Sequence, residues 1–543
     1  MHDLILRGGT VFDGLGSPGV TADVAVNGDV VTGVGRDLGQ ARRVVDADGL
    51  AVTPGFIDPH SHSDVVALMD EPQPFKLLQG VTTEIVGNCG FSFAPMSAES
   101  AAEAEVSFGD LLGGTEIVPG SFGELLDRID SAGPTNHLAF LVGHNTLRLT
   151  ANGVERELAP GALEAMQRMA AEAFADGAVG LSSGLIYIPG AYSATDELVA
   201  LATVAHRWQR PYTTHMRDEG SRLEEALDEA IEIGRRARVR VQISHCKAAG
   251  RDSHGKSKVL LERLHEARQA GIDVRGDQYP YLAGSTTLAT LLPSAAHEHG
   301  VDALRKRLLD PQERATLRAI AEQETGESIA GLWRAAAPED VLVTTHRDHA
   351  FVGRTLAAIA GRRDPWEVAC ELIAADPAAG MVISIMDEDD VQTIMRDPLV
   401  GVGSDNGIPV GLQHPRTWGC FPRFLGRYVR EIGVVPPAEG IRKMTSASAD
   451  QFGLAGRGWL GAGSAADITV FDPQTVDHSG TYVEPDAPPA GIRAVVLAGT
   501  VVVENGEFTG GRHGRVLRAG ALEGRTNSRP DFFARHDAGP APG

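Results

Sequence analysis

Cysteine is scarce. Cys89, Cys246, Cys370 and Cys420 are the only four in 543 residues, and none forms a C-x-x-C pair. So few thiols cannot staple a chain of this size, which argues against a disulfide-framed secreted scaffold and for a reducing cytoplasm. Positive charge is also short: 49 Lys and Arg stand against 72 Asp and Glu, a net −23. Such a surface repels phosphate backbones and anionic lipid, and no basic patch of useful size offsets it. Neither nucleic acid nor a membrane is an expected partner. No apolar run approaches the roughly 18 residues of a bilayer span. The opening Met-His-Asp-Leu-Ile-Leu-Arg-Gly-Gly has no basic lead, long apolar stretch or cleavage site, so it does not read as a secretory signal.

What is present is an ordinary globular composition, 43 % hydrophobic and 22 % charged. At about 150 residues per domain the length fits three to four domain-equivalents, or one large α/β barrel with a smaller β domain. The first fifty residues read as short strands at Leu4–Arg7, Ala22–Val26 and Val30–Val34, with Asn27-Gly28-Asp29 as a hairpin turn. The same style returns after Gly453, at Ala466–Phe471, Ala494–Leu497 and Thr500–Glu504, with a turn at Asn505-Gly506. Two β-rich ends around a different middle predict one small β domain over 1–53 and 454–520, although two separate β appendages fit the pattern as well.

The middle, 54–453, alternates. Strand-like segments fall at Val52–Ile57, Glu84–Gly87, Leu138–Val142, Ala178–Leu181, Tyr212–Thr214, Val239–Ser244, Ile272–Val274 and Val400–Gly403. Helical patterns lie between several of them. Ser221-x-x-Glu224 predicts a capping box for one helix, Ser257 predicts the cap of another, and Thr195 opens a third. Strand–helix–strand repetition argues for a parallel α/β sheet. Eight strands suit a closed barrel, and counting leaves a doubly wound sheet open. The stretch before the eighth segment is too long for one loop and predicts an insertion at about 290–398. Residues 521–543 read as a flexible tail.

The most informative string is Gly55-Phe-Ile-Asp-Pro-His60-Ser-His62. A strand that runs into histidines at i and i+2 turns both imidazoles to one face, where they can chelate one divalent metal. Alone, the pair says little. But Cys89, His215, His245 and Asp405 each follow a predicted strand too. That places six metal-competent groups at the strand ends where parallel α/β folds build their sites. Together they predict a metal site.

These strings resemble a known family. Gly55–His62, Gly80-Val-Thr-Thr-Glu-Ile-Val-Gly-Asn-Cys-Gly90, His215-Met-Arg-Asp-Glu219, Ser244-His-Cys-Lys247 and Gly403-Ser-Asp405 are similar to motifs of the amidohydrolase superfamily, and within it of the D-aminoacylases. The resemblance runs from about residue 3 to about 518, with its motifs in family order. Other branches carry a carboxylated lysine after the fourth strand; here Gly180-Leu-Ser-Ser-Gly184 has none, and Cys89 takes the place of that anionic ligand.

The resemblance implies a (β/α)8 TIM-like barrel with a small β-sandwich from both chain ends. It implies a tightly held zinc on Cys89, His215 and His245, and a second, weaker position at His60 and His62, with Asp405 nearby and Cys89 bridging. It implies hydrolysis of N-acyl-D-amino acids, with Asp405 as the catalytic acid and base. Arg416 would grip the substrate carboxylate, and Lys247, Tyr279 and Ser285 match further substrate positions. His144, after the third strand, is read as a pocket residue. A related amidohydrolase acting on a dipeptide or cyclic amide is the alternative, and a non-catalytic barrel scaffold a third reading. The chain departs from the family at Asn406, where glycine is usual, so a side chain beside Asp405 could reshape the pocket or hydrogen-bond that carboxylate. Cys246 is read as packing.

Overall fold

The computed structural model describes residues 1–108, 112–323 and 331–520. The expected tail at 521–543 lies outside the described residues. Eight parallel strands form one sheet in chain order: β1 (Phe56–Asp58), β2 (Val81–Val86), β3 (His137–Gly143), β4 (Gly180–Gly184), β5 (Tyr212–His215), β6 (Val241–Ile243), β7 (Val274–Gln278) and β8 (Val400–Val402). Each of the eight predicted segments overlaps one of them, Ile272–Val274 only at Val274. The sheet closes just past β1 and β8. There Ser61 bridges Asn406 in parallel, Asp405 N–H donates to His60 O at 2.8 Å, and His62 N–H donates to Asn406 O at 3.1 Å.

Strands buried on both faces read as continuous apolar runs rather than alternations, and β3, His-Leu-Ala-Phe-Leu-Val-Gly, is buried at all seven positions. The helices outside it follow dipole logic. Thr195–Arg207 has Asp196 and Glu197 in its first turn and His206 and Arg207 in its last, and Leu223–Ala237 repeats that pattern with Glu224, Glu225, Arg235 and Arg236. Their apolar faces pack on the barrel with Leu198, Leu201, Leu227 and Ile233. Cys246 is buried in the same layer, as packing.

The structure departs from three local readings. The segment Val52–Ile57 is two strands: Ala51–Pro54 pairs with Ile468–Phe471 of the small domain, and Phe56–Asp58 opens the barrel. Gly55 is the joint. Ser221 does not cap its helix, because Asp218 Oδ1 accepts the N–H groups of Gly220 and Arg222 at 2.7 and 3.1 Å and satisfies that turn. Ser257 is the first helical residue rather than the cap. Its hydroxyl donates to Asp390, which also accepts from Gly255 N–H at 2.7 Å.

Both chain ends meet in one branched, nine-stranded sheet. Asn27 pairs with Val30 across the Gly28-Asp29 turn, and Glu504 pairs with Glu507 across Asn505-Gly506. Leu4, Leu6, Val24, Val52, Ile468 and Val496 share its core. Residues beyond this sheet return to the barrel, where Leu517 N–H donates to Leu138 O at 2.7 Å. Between β7 and β8 lie an antiparallel sheet of Ala283–Thr287, Gly380–Ser384 and Val341–Thr345, and helices that include Pro365–Ala375. Among the described residues no helix is long and apolar enough to cross a membrane.

Candidate active site

The barrel brings six predicted groups to its C-terminal rim. His60 and His62 follow β1, Cys89 follows β2, His215 ends β5, His245 follows β6 and Asp405 follows β8. Three of them stand in the left-handed region, with φ of +52° at Cys89, +37° at His245 and +52° at Asp405. Each such residue costs roughly 1–3 kcal/mol, a strain that clusters at functional sites because a surrounding scaffold must hold it. Backbone bonds hold two of them: His245 N–H donates to Asp277 Oδ1 at 2.7 Å, and Asp405 N–H to His60 O at 2.8 Å.

The side chains form two clusters that share Cys89. One is Cys89, His215 and His245; the other is His60, His62, Cys89 and Asp405. Cys89 Sγ lies 3.7 Å from His215 Nδ1, 3.7 Å from His245 Nε2 and 3.4 Å from His60 Nε2. A tetrahedral zinc with its usual bond lengths to sulfur and nitrogen sets those atoms about 3.6 Å apart. Asp405 Oδ1 stands 3.4 Å from His60 Nε2 and 3.3 Å from His62 Nε2. One thiolate with imidazoles is a soft, zinc-favouring donor set, so the residues fit the metal both in spacing and in chemistry.

Electrostatics favour an ionised thiol and an ionised carboxyl at this rim. Burial pushes the Cys89 thiol up, but the His60 charge and hydrogen bonds from His215, His245 and His60 outweigh it and hold the thiol well below its ordinary range. Burial likewise opposes ionisation of Asp405. The charges of Arg416, His245 and His60 and a hydrogen bond from His62 overcome it and keep the carboxyl ionised. Burial lowers His215 below its ordinary value and favours the neutral imidazole that can ligate.

Sequence reasoning passed over the groups that hold these ligands. Glu219 Oε1 lies 2.8 Å from His245 Nδ1 and 2.6 Å from Lys247 Nζ, and its Oε2 lies 3.4 Å from His215 Nε2. One carboxylate thus meets both imidazoles on the nitrogens that face away from Cys89. Asp277 Oδ1 stands 3.4 Å from His60 Nδ1, and its Oδ2 accepts from Gln242 Nε2 at 2.8 Å. Beneath β1 and β8, buried Lys76 donates to Asp58 at 2.5 Å and to Ser404 Oγ at 2.9 Å, while Asp58 Oδ1 accepts from His60 N–H and Ser404 N–H. Asn406 joins this closure instead of contacting Asp405: its amide donates to Ser63 Oγ at 3.0 Å and its oxygen accepts from Ser404 Oγ at 2.7 Å. The signals for Glu219 were its place four residues after His215 and at the end of the His215-Met-Arg-Asp-Glu219 motif.

A cavity of about 220 Å³ opens beside the clusters, lined by His215, His245, Lys247, Tyr279, Ser285 and Asp405 among others. Arg416 lies one layer behind. Its guanidinium stands 4.6 Å from the Tyr279 ring centroid and its Nη1 2.9 Å from Asp405 Oδ2, while its buried Nε has no hydrogen-bond partner. His144 is set apart from this group and is not among the described lining residues. It is the first residue of the helix His144–Asn152, which turns its ring onto Glu197 at 2.7 Å, beside Arg148 at 3.2 Å from the same oxygen.

Comparison with known proteins gives the family. The amidohydrolase family matches residues 43–503. The D-aminoacylase of Alcaligenes xylosoxydans xylosoxydans is 38 % identical over 521 residues, 95 % of this chain and 97 % of that protein. The N-acyl-D-aspartate deacylase of the same organism is 35 % identical over 525 residues, 95 % of each chain. The N-acyl-D-glutamate deacylase of Bordetella bronchiseptica, solved with zinc and a phosphonate inhibitor that mimics the tetrahedral intermediate, superimposes with a TM-score of 0.82 at 34 % identity, covering 95 % of this chain and all of that one. The barrel, the shared Cys89 and full-length likeness together place the chain in the amidohydrolase family, within its D-aminoacylase branch.

Proposed function

We propose that the protein is a zinc-dependent hydrolase that cuts the amide bond of N-acyl-D-amino acids, giving a carboxylate and a free D-amino acid. The observation that carries this reading is the pair of ligand clusters sharing Cys89, with Asp405 beside them at the cavity wall. The D configuration rests on the likeness to D-aminoacylase. Four unpaired, buried cysteines fit the cytoplasm as its compartment.

Cys89, His215 and His245 would hold one zinc; His60, His62 and Asp405, with Cys89 shared, would hold a second, weaker ion. Zinc in this position supplies a lowered water pKa and polarisation of the amide carbonyl. Asp405, ionised and at the cavity wall, accepts the proton from water as its oxygen bonds to the acyl carbon. Asp405 then returns that proton to the departing nitrogen as the C–N bond breaks. Lys247 and Tyr279 meet the α-carboxylate at the wall, and the spare Nε of Arg416 adds a guanidinium donor behind them. Ser285, whose carbonyl accepts from Arg416 Nη2 at 3.4 Å, fixes the same corner.

Hydrolysis of paired N-acetyl-D- and N-acetyl-L-amino acids, with metal content determined on the same sample, tests this reading. Turnover of D members alone with zinc bound is the expected result. Turnover of the L series alone, or of neither with zinc bound, overturns it.

A further inference from the structure

The relatives named above act on different substrates, and their identities of 38 % and 35 % do not separate the classes. The cavity does. Away from Asp405 much of its wall is apolar, with Leu149, Val154, Ile186, Leu292, Leu304 and Ile383 among the lining residues. The cations that line it each have a carboxylate partner. Arg217 uses every guanidinium nitrogen: Nε and Nη2 on Glu229 at 2.9 and 3.0 Å, Nη1 on Ala191 O and Nη2 again on Ser193 O, both at 2.9 Å. Arg251 pairs with Asp340 at 2.9 Å and Arg334 with Asp252 at 3.6 Å, both with exposed side chains. Lys247 pairs with Glu219 and, under the deacylase reading, faces the α-carboxylate. His297 also lines the cavity, but burial holds it down to about 4, so it is neutral at neutral pH. Glu103 and Asp218 add acid to the wall.

A second carboxylate on the substrate would therefore lose its water, meet acids and hydrocarbon, and have to compete with a carboxylate already paired to each described lining cation. We infer that the substrate group seated in this cavity is uncharged and apolar, so that the enzyme takes N-acyl derivatives of residues such as methionine, leucine or phenylalanine and discriminates against glutamate and aspartate. This inference rests on the deacylase reading and narrows it.

The test is kcat/KM of the metal-loaded protein for N-acetyl-D-methionine, -leucine, -phenylalanine, -glutamine, -glutamate and -aspartate. The apolar substrates are expected to exceed glutamate and aspartate by at least about 100-fold. Glutamine has the shape of glutamate without its charge and is expected to fall above it. The free D-amino acids, assayed as product inhibitors, should rank in the same order. Glutamate or aspartate equal to methionine, or glutamine no better than glutamate, overturns the inference and leaves the deacylase reading standing. Silence across the whole set with metal bound overturns both.

Discussion

Glu219 and His245 are joined on the side of the imidazole that faces away from Cys89, with Oε1 2.8 Å from Nδ1. A carboxylate there favours the proton on Nδ1, which Lys247 Nζ also approaches at 2.7 Å, and Nε2 faces Cys89 Sγ at 3.7 Å. The same carboxylate reaches His215 and Lys247, so one residue contacts two imidazoles of the metal-competent cluster and a cation that lines the cavity. Glu219→Gln keeps the shape and removes the charge. Metal affinity and kcat/KM are both expected to fall about 10- to 100-fold. Chelator competition alongside steady-state kinetics checks this, and values within twofold of the parent would remove Glu219 from the role.

Asp405→Asn separates proton transfer from metal retention. Asp405 is not in the cluster of Cys89, His215 and His245, so the one tightly held zinc expected there should stay at the parent level even where the weaker ion is lost. Turnover should fall by about 10²- to 10⁴-fold, the usual share of a positioned acid–base group. Metal analysis and kcat on one preparation decide it.

The gathering of the six groups at one rim was legible because each residue lies within a few positions of a strand end, a local relation that periodicity reveals. The same local logic misplaced His144. It too follows a strand, but a helix starts on it and turns its ring onto Glu197. The supports were not legible because their partners are remote in the chain. Ser404 N–H bonds to Asp58 from 346 residues away, and Asp390 takes over the turn at Ser257 from 133 residues away. Ser221-x-x-Glu224 had the form of a capping box, yet the cap position falls on Arg222, whose N–H donates to Asp218. The split of Val52–Ile57 was hidden for another reason: the apolar run continues unbroken while its hydrogen-bond partners change.

Gly55, the joint of that split, donates its N–H to Asp467 O at 2.8 Å and lies against Thr82. A Cβ there would stand 2.5 Å from Thr82 Cγ2 and 2.8 Å from Thr82 Cβ. Gly55→Ala is expected to destabilise by about 1–3 kcal/mol through overpacking between the two domains. Gly55→Ala with Thr82→Ala, which removes the overlapping Thr82 atoms beyond Cβ, should recover part of the loss in denaturant titrations. No recovery would mean that the backbone, rather than Thr82, sets the requirement for glycine.

Lys443 gives a pH dependence whose sign can be worked out. Its Nζ is buried beneath β8 and donates to the carbonyls of Asp397 and Val400. Burial, the largest influence, holds this lysine down to about 7 in the folded chain, against 10.5 for the ordinary side chain. Between those values the unfolded chain binds more protons than the folded one, so stability rises with pH across that window and is lowest below it. From pH 7 to pH 9 the gain attributable to this one group is about 2 kcal/mol. Lys443→Met removes the titration, at the cost of leaving two carbonyls without a donor. The unfolding free energy of the parent should therefore climb relative to that variant as pH rises from 7 to 9, whatever their offset at pH 7. A constant difference between the two would mean that the carbonyl pair keeps the ammonium charged inside the fold.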